Sequence, residues 1–156
     1  MSADQSTSAD QPVAVDRPTF DGVEVGDKLP TTAYPVHRVD LIRYAGASGD
    51  FNVIHWNDRV ATSVGLPGVI AHGMFTMATA GRLVSDWVGD PGAVLEYAVR
   101  FTSMVPVPDD DEGATIEVGG QVTGKNDESR TATVRLTAVS GGQKILGKAT
   151  AVVRLP

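Results

Sequence analysis

The stretch AHGMFTMATAGRLVSDWVG, residues 71–89, decides the fold. Its apolar residues recur at the i, i+3, i+4, i+7 spacing of one helix face, at Ala71, Met74, Phe75 and Ala78. The first two turns are apolar nearly all round, and polar residues collect only later, at Thr79, Arg82 and Asp86. We therefore expect a central helix over residues 71–88, with its start inside the domain and its far end nearer water.

Downstream of this helix the sequence is typical of β-strands. Residues 94–105 are β-rich, and apolar residues alternate with polar ones within 115–124, 131–139 and 144–155. Turn-forming Gly, Pro, Asn and Asp separate these segments. A helix followed by consecutive strands predicts an α+β domain with an antiparallel sheet around the apolar helix.

Upstream, two shorter helices are expected. Asp40 is placed to cap a helix over residues 41–48, and residues 57–64 are expected to form another that Gly65 ends. The segment between them, residues 49–57, reads as an irregular loop.

The composition excludes several classes of function. The 156 residues fit one domain, and a net charge of −6 argues against a nucleic-acid partner. The absence of cysteine excludes disulfides and thiolate metal sites, and no apolar run is long enough to cross a membrane. Residues 1–19 lack the basic and apolar regions of a signal peptide. We expect a disordered acidic tail there, a single domain over 20–156, and a cytoplasmic protein.

Asp50 and His55 are the first candidate site residues. In a helix, side chains five apart diverge by roughly 140°, but on a kinked loop they can converge on one water. A carboxylate and an imidazole that share a water form an acid/base pair. Asn52 lies between them and can position either a substrate oxygen or the loop. The alternatives are a turn aspartate, a loop-stabilising asparagine and a structural histidine.

Gly73 is the second candidate, because it lies in the first turn of the central helix. First-turn N–H groups lack an intrahelical partner and carry the positive end of the helix dipole. The Gly73 N–H therefore suits a carbonyl oxygen that gains negative charge, unless the glycine only permits close packing. We expect His72 to be structural. The three histidines, His37, His55 and His72, are far apart in the sequence, and we expect no metal site.

Together these two segments resemble the MaoC-like family, which includes the (R)-specific 2-enoyl-CoA hydratases. The family pattern is an aromatic residue, S/T-G-D-x-N-P-I/L-H, then Ala or Ser, with A-H-G-M downstream. The matching residues are Tyr44, Ser48, Gly49, Asp50, Asn52, Ile54, His55, Ala61 and 71–74. Val53 stands where the family usually has proline, which removes no catalytic group. Longer stretches resemble the dehydratase subunits of type II fatty acid synthesis.

The resemblance implies a hotdog fold, which is a curled antiparallel sheet wrapped around one long helix. It implies a dimer of such folds, either a homodimer or a heterodimer with a second hotdog subunit, and no cofactor. It assigns catalysis to Asp50 and His55 and the thioester carbonyl to the Gly73 N–H.

The implied activity is that of a (3R)-3-hydroxyacyl-thioester dehydratase or 2-enoyl-thioester hydratase, a hydro-lyase, with an acyl-ACP substrate in fatty-acid elongation. The alternatives are an enoyl-CoA hydratase of β-oxidation or polyester supply, a hotdog thioesterase, and a non-catalytic hotdog partner subunit. A thioesterase would use its carboxylate against the thioester carbonyl, which is not what the Asp50, Asn52 and His55 pattern favours.

Overall fold

A computed structural model describes residues 17–156 of the chain. The expected tail over 1–19 therefore lies, for residues 1–16, outside the described residues. Phe20 is buried in the core, and its N–H donates to the Pro156 carbonyl oxygen at 2.9 Å. The ammonium of Lys125 lies over the Phe20 ring, 4.2 Å from its centroid. The segment that leads into the domain is thus hydrogen-bonded to Pro156.

A five-stranded antiparallel sheet forms most of the domain, with the order β1-β3-β4-β5-β2. The strands are β1 (Lys28–Val36), β2 (Val94–Phe101), β3 (Ala114–Asn126), β4 (Thr131–Ser140) and β5 (Gln143–Arg154). The predicted antiparallel sheet is confirmed. Strand β2 lies at one edge, paired on one side with β5 alone.

Three α-helices and two short 3₁₀ turns complete the fold. The helices are α1 (Arg38–Ser48), α2 (Asp58–Ser63) and α3 (Gly73–Val88), and the 3₁₀ turns are Val53–His55 and Pro91–Ala93. Helix α3 contacts all five strands. The sheet therefore wraps around one long helix, and the hotdog fold expected from the sequence is confirmed. None of these helices has the length and apolar character needed to cross a membrane.

The start of α3 and the burial along it differ from the expectation. The helix begins at Gly73 rather than Ala71, with His72 as its N-cap residue. Its buried side chains lie along the whole helix, at Thr76, Thr79, Ala80, Leu83, Val84 and Val88, whereas Met74 in the first turn is 57% exposed. The expected decrease in burial along the helix was wrong, because apolar composition does not reveal which neighbour covers a turn. Gly73 and Thr76 in the first turn border a cleft.

The start of α1 also differs from the expectation. The helix starts at Arg38 with His37 as its N-cap residue, so Asp40 is the third helical residue and not the cap. Its carboxylate accepts the His37 N–H at 2.9 Å, the carboxylate half of a capping box. Asp40 was expected to be the N-cap because acidic residues are common both at the N-cap and in the first turn. The N-cap is His37, three positions before Asp40. The helix expected over residues 57–64 is confirmed as α2, where the Asn57 side chain accepts the Val60 N–H.

A bidentate ion pair fastens the first two helices to the segments beside α3. The two terminal nitrogens of Arg38 donate to the carboxylate oxygens of Asp58 at 2.9 and 3.0 Å, and its Nε donates to the Val107 carbonyl. Asp58 also accepts the Val69 N–H at 3.0 Å. Since Asp58 opens α2 and Val69 precedes α3, this ion pair ties the start of α2 to the segment that leads into α3.

We expect Gly81→Ala to destabilise the protein by about 1–3 kcal/mol, although alanine is the better helix former. A Cβ at Gly81 would lie 2.9 Å from Cε1 of Tyr97. That ring has little freedom to retreat, since its hydroxyl donates to the Met77 carbonyl at 2.9 Å. Urea unfolding measures the effect. The matched control is Gly46→Ala in α1, where a Cβ meets no atom of the described chain within 4 Å and should stabilise by up to about 1 kcal/mol. Equal effects at both sites would contradict the packing argument.

We expect the contribution of the Asp58 charge to stability to disappear in acid. Its hydrogen bonds from Arg38 and Val69 hold the pKa of the carboxyl below its ordinary value. A lowered folded-state pKa gives stability that is present at neutral pH and lost as the pH falls below about 4. Asp58→Asn should therefore cost about 1 kcal/mol at pH 7 and less at pH 3 in urea unfolding. Asp21→Asn, which breaks a 3.4 Å pair with Arg130, is the control and should change little at either pH. A cost for Asp58→Asn that does not vary with pH would refute the electrostatic origin.

Candidate active site

The loop after α1 is bent by a series of local hydrogen bonds. Gly49 ends α1 in the left-handed conformation, with φ 77°. The Ser48 hydroxyl accepts the Asp50 N–H at 3.2 Å, and the Asp50 carboxylate accepts the Asn52 N–H at 3.2 Å. Asn52 in turn accepts the Ile54 N–H at 3.4 Å and caps the 3₁₀ turn that carries His55. Each side chain turns the backbone, so Asp50 and His55 approach one another as a helix would not permit.

His55 is held by a single backbone acceptor. Its ring is buried, and Nδ1 lies 2.7 Å from the Ile70 carbonyl oxygen. A carbonyl only accepts, so Nδ1 carries the proton and Nε2 of the neutral ring has the free lone pair. Ile70 is itself fixed, because Ala71 donates to the Val105 carbonyl at 2.8 Å on its far side. The base nitrogen of His55 is therefore set by the segment that leads into α3.

His72 lies directly against His55. The two rings are stacked, with centroids 3.8 Å apart and an interplanar angle of 26°. His72 is 1% exposed, and its Nε2 lies 3.1 Å from the backbone carbonyl oxygen of Asp50, so this nitrogen carries the proton. Burial lowers the pKa of His72 and keeps the ring neutral near pH 7. The hydrogen bonds to carbonyl oxygens thus place the proton on opposite nitrogens of the two rings, Nδ1 of His55 and Nε2 of His72.

The histidine pair was missed by the sequence argument, which treated His55 and His72 as too far apart to meet. They are separated by 17 positions, and no local periodicity joins a loop residue to the N-cap of a later helix. The signal that could have revealed the pair is the A-H-G segment, because a histidine immediately before a buried helix lies at the start of that helix. Tyr44 belongs to the same cluster, with its ring centroid 4.8 Å from that of His72.

Asp50, His55 and His72 are also the group that most resembles a metal site, since one ligand atom of each lies within 4.8 Å of the others. The rings do not suit a shared ion. Imidazole lone pairs lie in the ring plane, and in two stacked, nearly parallel rings they run side by side instead of converging at the 2.0–2.1 Å that zinc requires. Two of the four ring nitrogens are already hydrogen-bonded to carbonyl oxygens.

Gly73 places the start of α3 at the edge of this cluster. As the first helical residue it has an N–H without an intrahelical acceptor, at the positive end of the dipole. A Cβ at Gly73 would lie 3.4 Å from Phe101, so the glycine also permits close packing. Both readings of this glycine from the sequence are compatible with its position.

A cleft of about 360 Å³ opens beside these groups. It is lined by His55, Ile70, Ala71, Gly73, Thr76, Phe101, Thr102, Ser103, Met104 and Val105. Phe101 is 49% and Met104 48% exposed, although both line the cleft. Asp50 is not among the lining residues. Asp50 is exposed, and a carboxylate oxygen of it lies within 4.8 Å of a ring nitrogen of His55.

Comparison with known proteins identifies the family. Residues 21–140 match the model of the MaoC like domain. The (R)-specific enoyl-CoA hydratase of Rhodospirillum rubrum is 26% identical over 136 residues, covering 86% of this chain and 90% of that protein. The 3-hydroxyacyl-thioester dehydratase X of Mycobacterium tuberculosis is 40% identical over 79 residues, covering 51% of this chain and 27% of that protein.

A solved structure described as a MaoC-like dehydratase superposes with a TM-score of 0.86 at 41% identity, covering 100% of this chain and 51% of that one. The chain spans less than a third of the length of several curated relatives that it matches. The family match nevertheless covers more than half of this chain and includes the loop of Asp50 and the start of α3. The matching sequence segments, the sheet wrapped around one helix and the relatives all indicate the same family. The chain belongs to the MaoC-like domain family.

Proposed function

We propose that this chain is a (3R)-3-hydroxyacyl-thioester dehydratase, which also catalyses the reverse hydration of a 2-enoyl thioester. The observation that carries the proposal is the free Nε2 of His55, held by the Ile70 carbonyl beside both Asp50 and the start of α3. General base, acid and carbonyl-binding groups then lie within one small region of the domain. The names of the family relatives support the same hydro-lyase chemistry.

The substrate carbonyl is bound first. A Cα–H beside a thioester is only weakly acidic, so its removal requires stabilisation of the negative charge that develops on the carbonyl oxygen. The Gly73 N–H and the positive end of α3 supply it. This assignment fits the position of Gly73, which is exposed and lines the cleft.

The proton transfers follow from the tautomer of His55. In dehydration, Nε2 accepts the Cα proton, the C3–O bond breaks, and the departing hydroxyl gains one proton to leave as water. That proton comes either from Asp50 or from Nε2 of His55 while Asp50 positions the oxygen, and hydration reverses the same steps. Asn52 orients the loop, because its side-chain oxygen accepts the Ile54 N–H at the start of the 3₁₀ turn.

The substrate is an acyl thioester on either ACP or CoA, with fatty-acid elongation on ACP as the proposed setting. The partner in this proposal is a second hotdog subunit, either identical or different. The support is the exposure of Met74, Phe101 and Met104 around the cleft, together with the edge strand β2. The cytoplasmic location expected from the sequence is part of the same proposal.

We expect Asp50→Asn and His55→Gln each to lower turnover by roughly 10²–10⁴-fold, the usual contribution of a general acid or base. Each substitution keeps the size of the side chain and removes its proton chemistry. Turnover is followed by the absorbance of enoyl thioesters on CoA and on ACP. The chain is assayed alone and co-expressed with the product of its neighbouring gene.

The matched controls are Asp21→Asn and His37→Gln, which change the same residue types far from the cleft and should leave turnover unchanged. Near wild-type turnover of either site variant would overturn the assignment of that residue. Release of free thiol from the enoyl thioester would instead indicate a thioesterase, and comparison of the two carriers at equal chain length decides between ACP and CoA.

We expect Leu95→Lys to weaken assembly with the second subunit. Leu95 is on the edge strand β2 and is 44% exposed, so a charge there would be buried against a partner strand at a cost. Native mass spectrometry measures the fraction of dimer. Val25→Lys is the matched control, since Val25 is 62% exposed and lies in the turn before β1. Assembly unaffected by Leu95→Lys would place the interface elsewhere.

A further inference from the structure

His72 is the most deeply buried titratable side chain beside the cleft, and the mechanism above gives it no proton to move. Only 1% of the residue is exposed. Its Nε2–H donates to the Asp50 carbonyl oxygen, and its ring face lies on His55. One side chain thus touches both residues that carry the proposed proton transfers.

We propose that His72 is a positioning residue that holds Asp50 and His55 in register through a hydrogen bond to one and a ring stack on the other. The proposal rests on the proposed function. It assigns to His72 no contact with substrate and no proton transfer, and its effect on the reaction passes entirely through its two neighbours.

The unpaired nitrogen of His72 argues against simple filling of space. Nδ1 is buried and has no hydrogen-bond partner among residues 17–156. A buried polar atom left without a partner costs about 1–3 kcal/mol, which an apolar ring of similar size would avoid. The chain carries this cost at a position where the Nε2–H donates to the Asp50 backbone and the ring packs on His55 and Tyr44.

The stack also requires His72 to stay neutral when His55 takes a proton. The titratable groups that face its ring are His55, Asp50 and Tyr44, and two stacked cations are unfavourable. Burial lowers the pKa of His72, so the proton goes to the nitrogen of His55 that borders the cleft. A neutral imidazole presents a π-face to the imidazolium that forms on His55.

Two substitutions separate the two contacts. His72→Phe keeps a ring against His55 and removes the donor to Asp50, whereas His72→Gln keeps an amide N–H near the position of Nε2 and removes the ring. We expect each to lower kcat by about tenfold while KM stays within about twofold, since misplaced catalytic groups cost turnover more than binding. Circular dichroism and urea unfolding measure the folded fraction of each variant, and the variant that folds carries the test if the other does not.

Double variants distinguish positioning from general stability. If His72 acts through its neighbours, His72→Phe should cause no further loss of kcat in Asp50→Asn, and His72→Gln none in His55→Gln. A merely structural role would lower kcat by the same factor in every background. Additive losses would therefore overturn the proposal.

A spectroscopic experiment tests the positioning role of His72 without measuring turnover. The chain has three histidines, so ¹⁵N-histidine labelling gives three ring systems, and His37→Gln assigns one of them. We expect His72 to carry its proton on Nε2 and His55 on Nδ1 at neutral pH. A proton on Nδ1 of His72 would overturn the positioning role even in an active enzyme. Absence of turnover in the wild-type protein, with either carrier and with its partner, would overturn the proposed function and the positioning role together.

Discussion

The hydrogen bond from His55 Nδ1–H to the Ile70 carbonyl is the contact on which the candidate site depends. It joins the loop after α1 to the segment before α3, two parts of the chain that α2 separates. It also decides chemistry, because it leaves Nε2 as the only basic nitrogen of His55. The segment that supplies the carbonyl is paired with residues 105–107, so the position of the base follows from the packing of the whole cleft wall.

The wrapping of the sheet around α3 explains why the site lies where it does. Buried residues of α3 lie along its length, from Thr76 to Val88, but Gly73 and Met74 at its start are exposed. A helix start that borders a cleft keeps its first N–H groups, at the positive end of the dipole, available to a bound molecule. The same geometry leaves Met74 and Phe101 exposed at the cleft, so the feature that makes the site usable also leaves an apolar border for a second subunit.

The sequence predicted the elements better than it predicted their surroundings. The strands and α3 follow from periodicity, and α2 follows from the glycine that ends it, Gly65, because these signals are local. The expected decrease in burial from the start of α3 to its end was wrong. Hydrophobicity shows that burial would stabilise a turn, but it does not show which part of the protein buries that turn. Asp40 was misread as a cap because a first-turn carboxylate and a capping carboxylate look alike in sequence. The ion pair of Arg38 with Asp58 and the stack of His55 on His72 join distant positions that no pattern links.

The opposite tautomers of the stacked histidines have a consequence for the chemistry of so small a domain. Each ring donates one N–H to a backbone carbonyl, which leaves one nitrogen lone pair on each ring. The lone pair of His72 Nδ1 is buried and has no partner among the described residues, whereas His55 lines the cleft. Only one of the two nitrogens is open to a proton from a substrate. A second imidazole therefore adds no second base to the site. In the proposed mechanism it is a rigid surface behind the single base, and burial, rather than a charged partner, keeps it neutral.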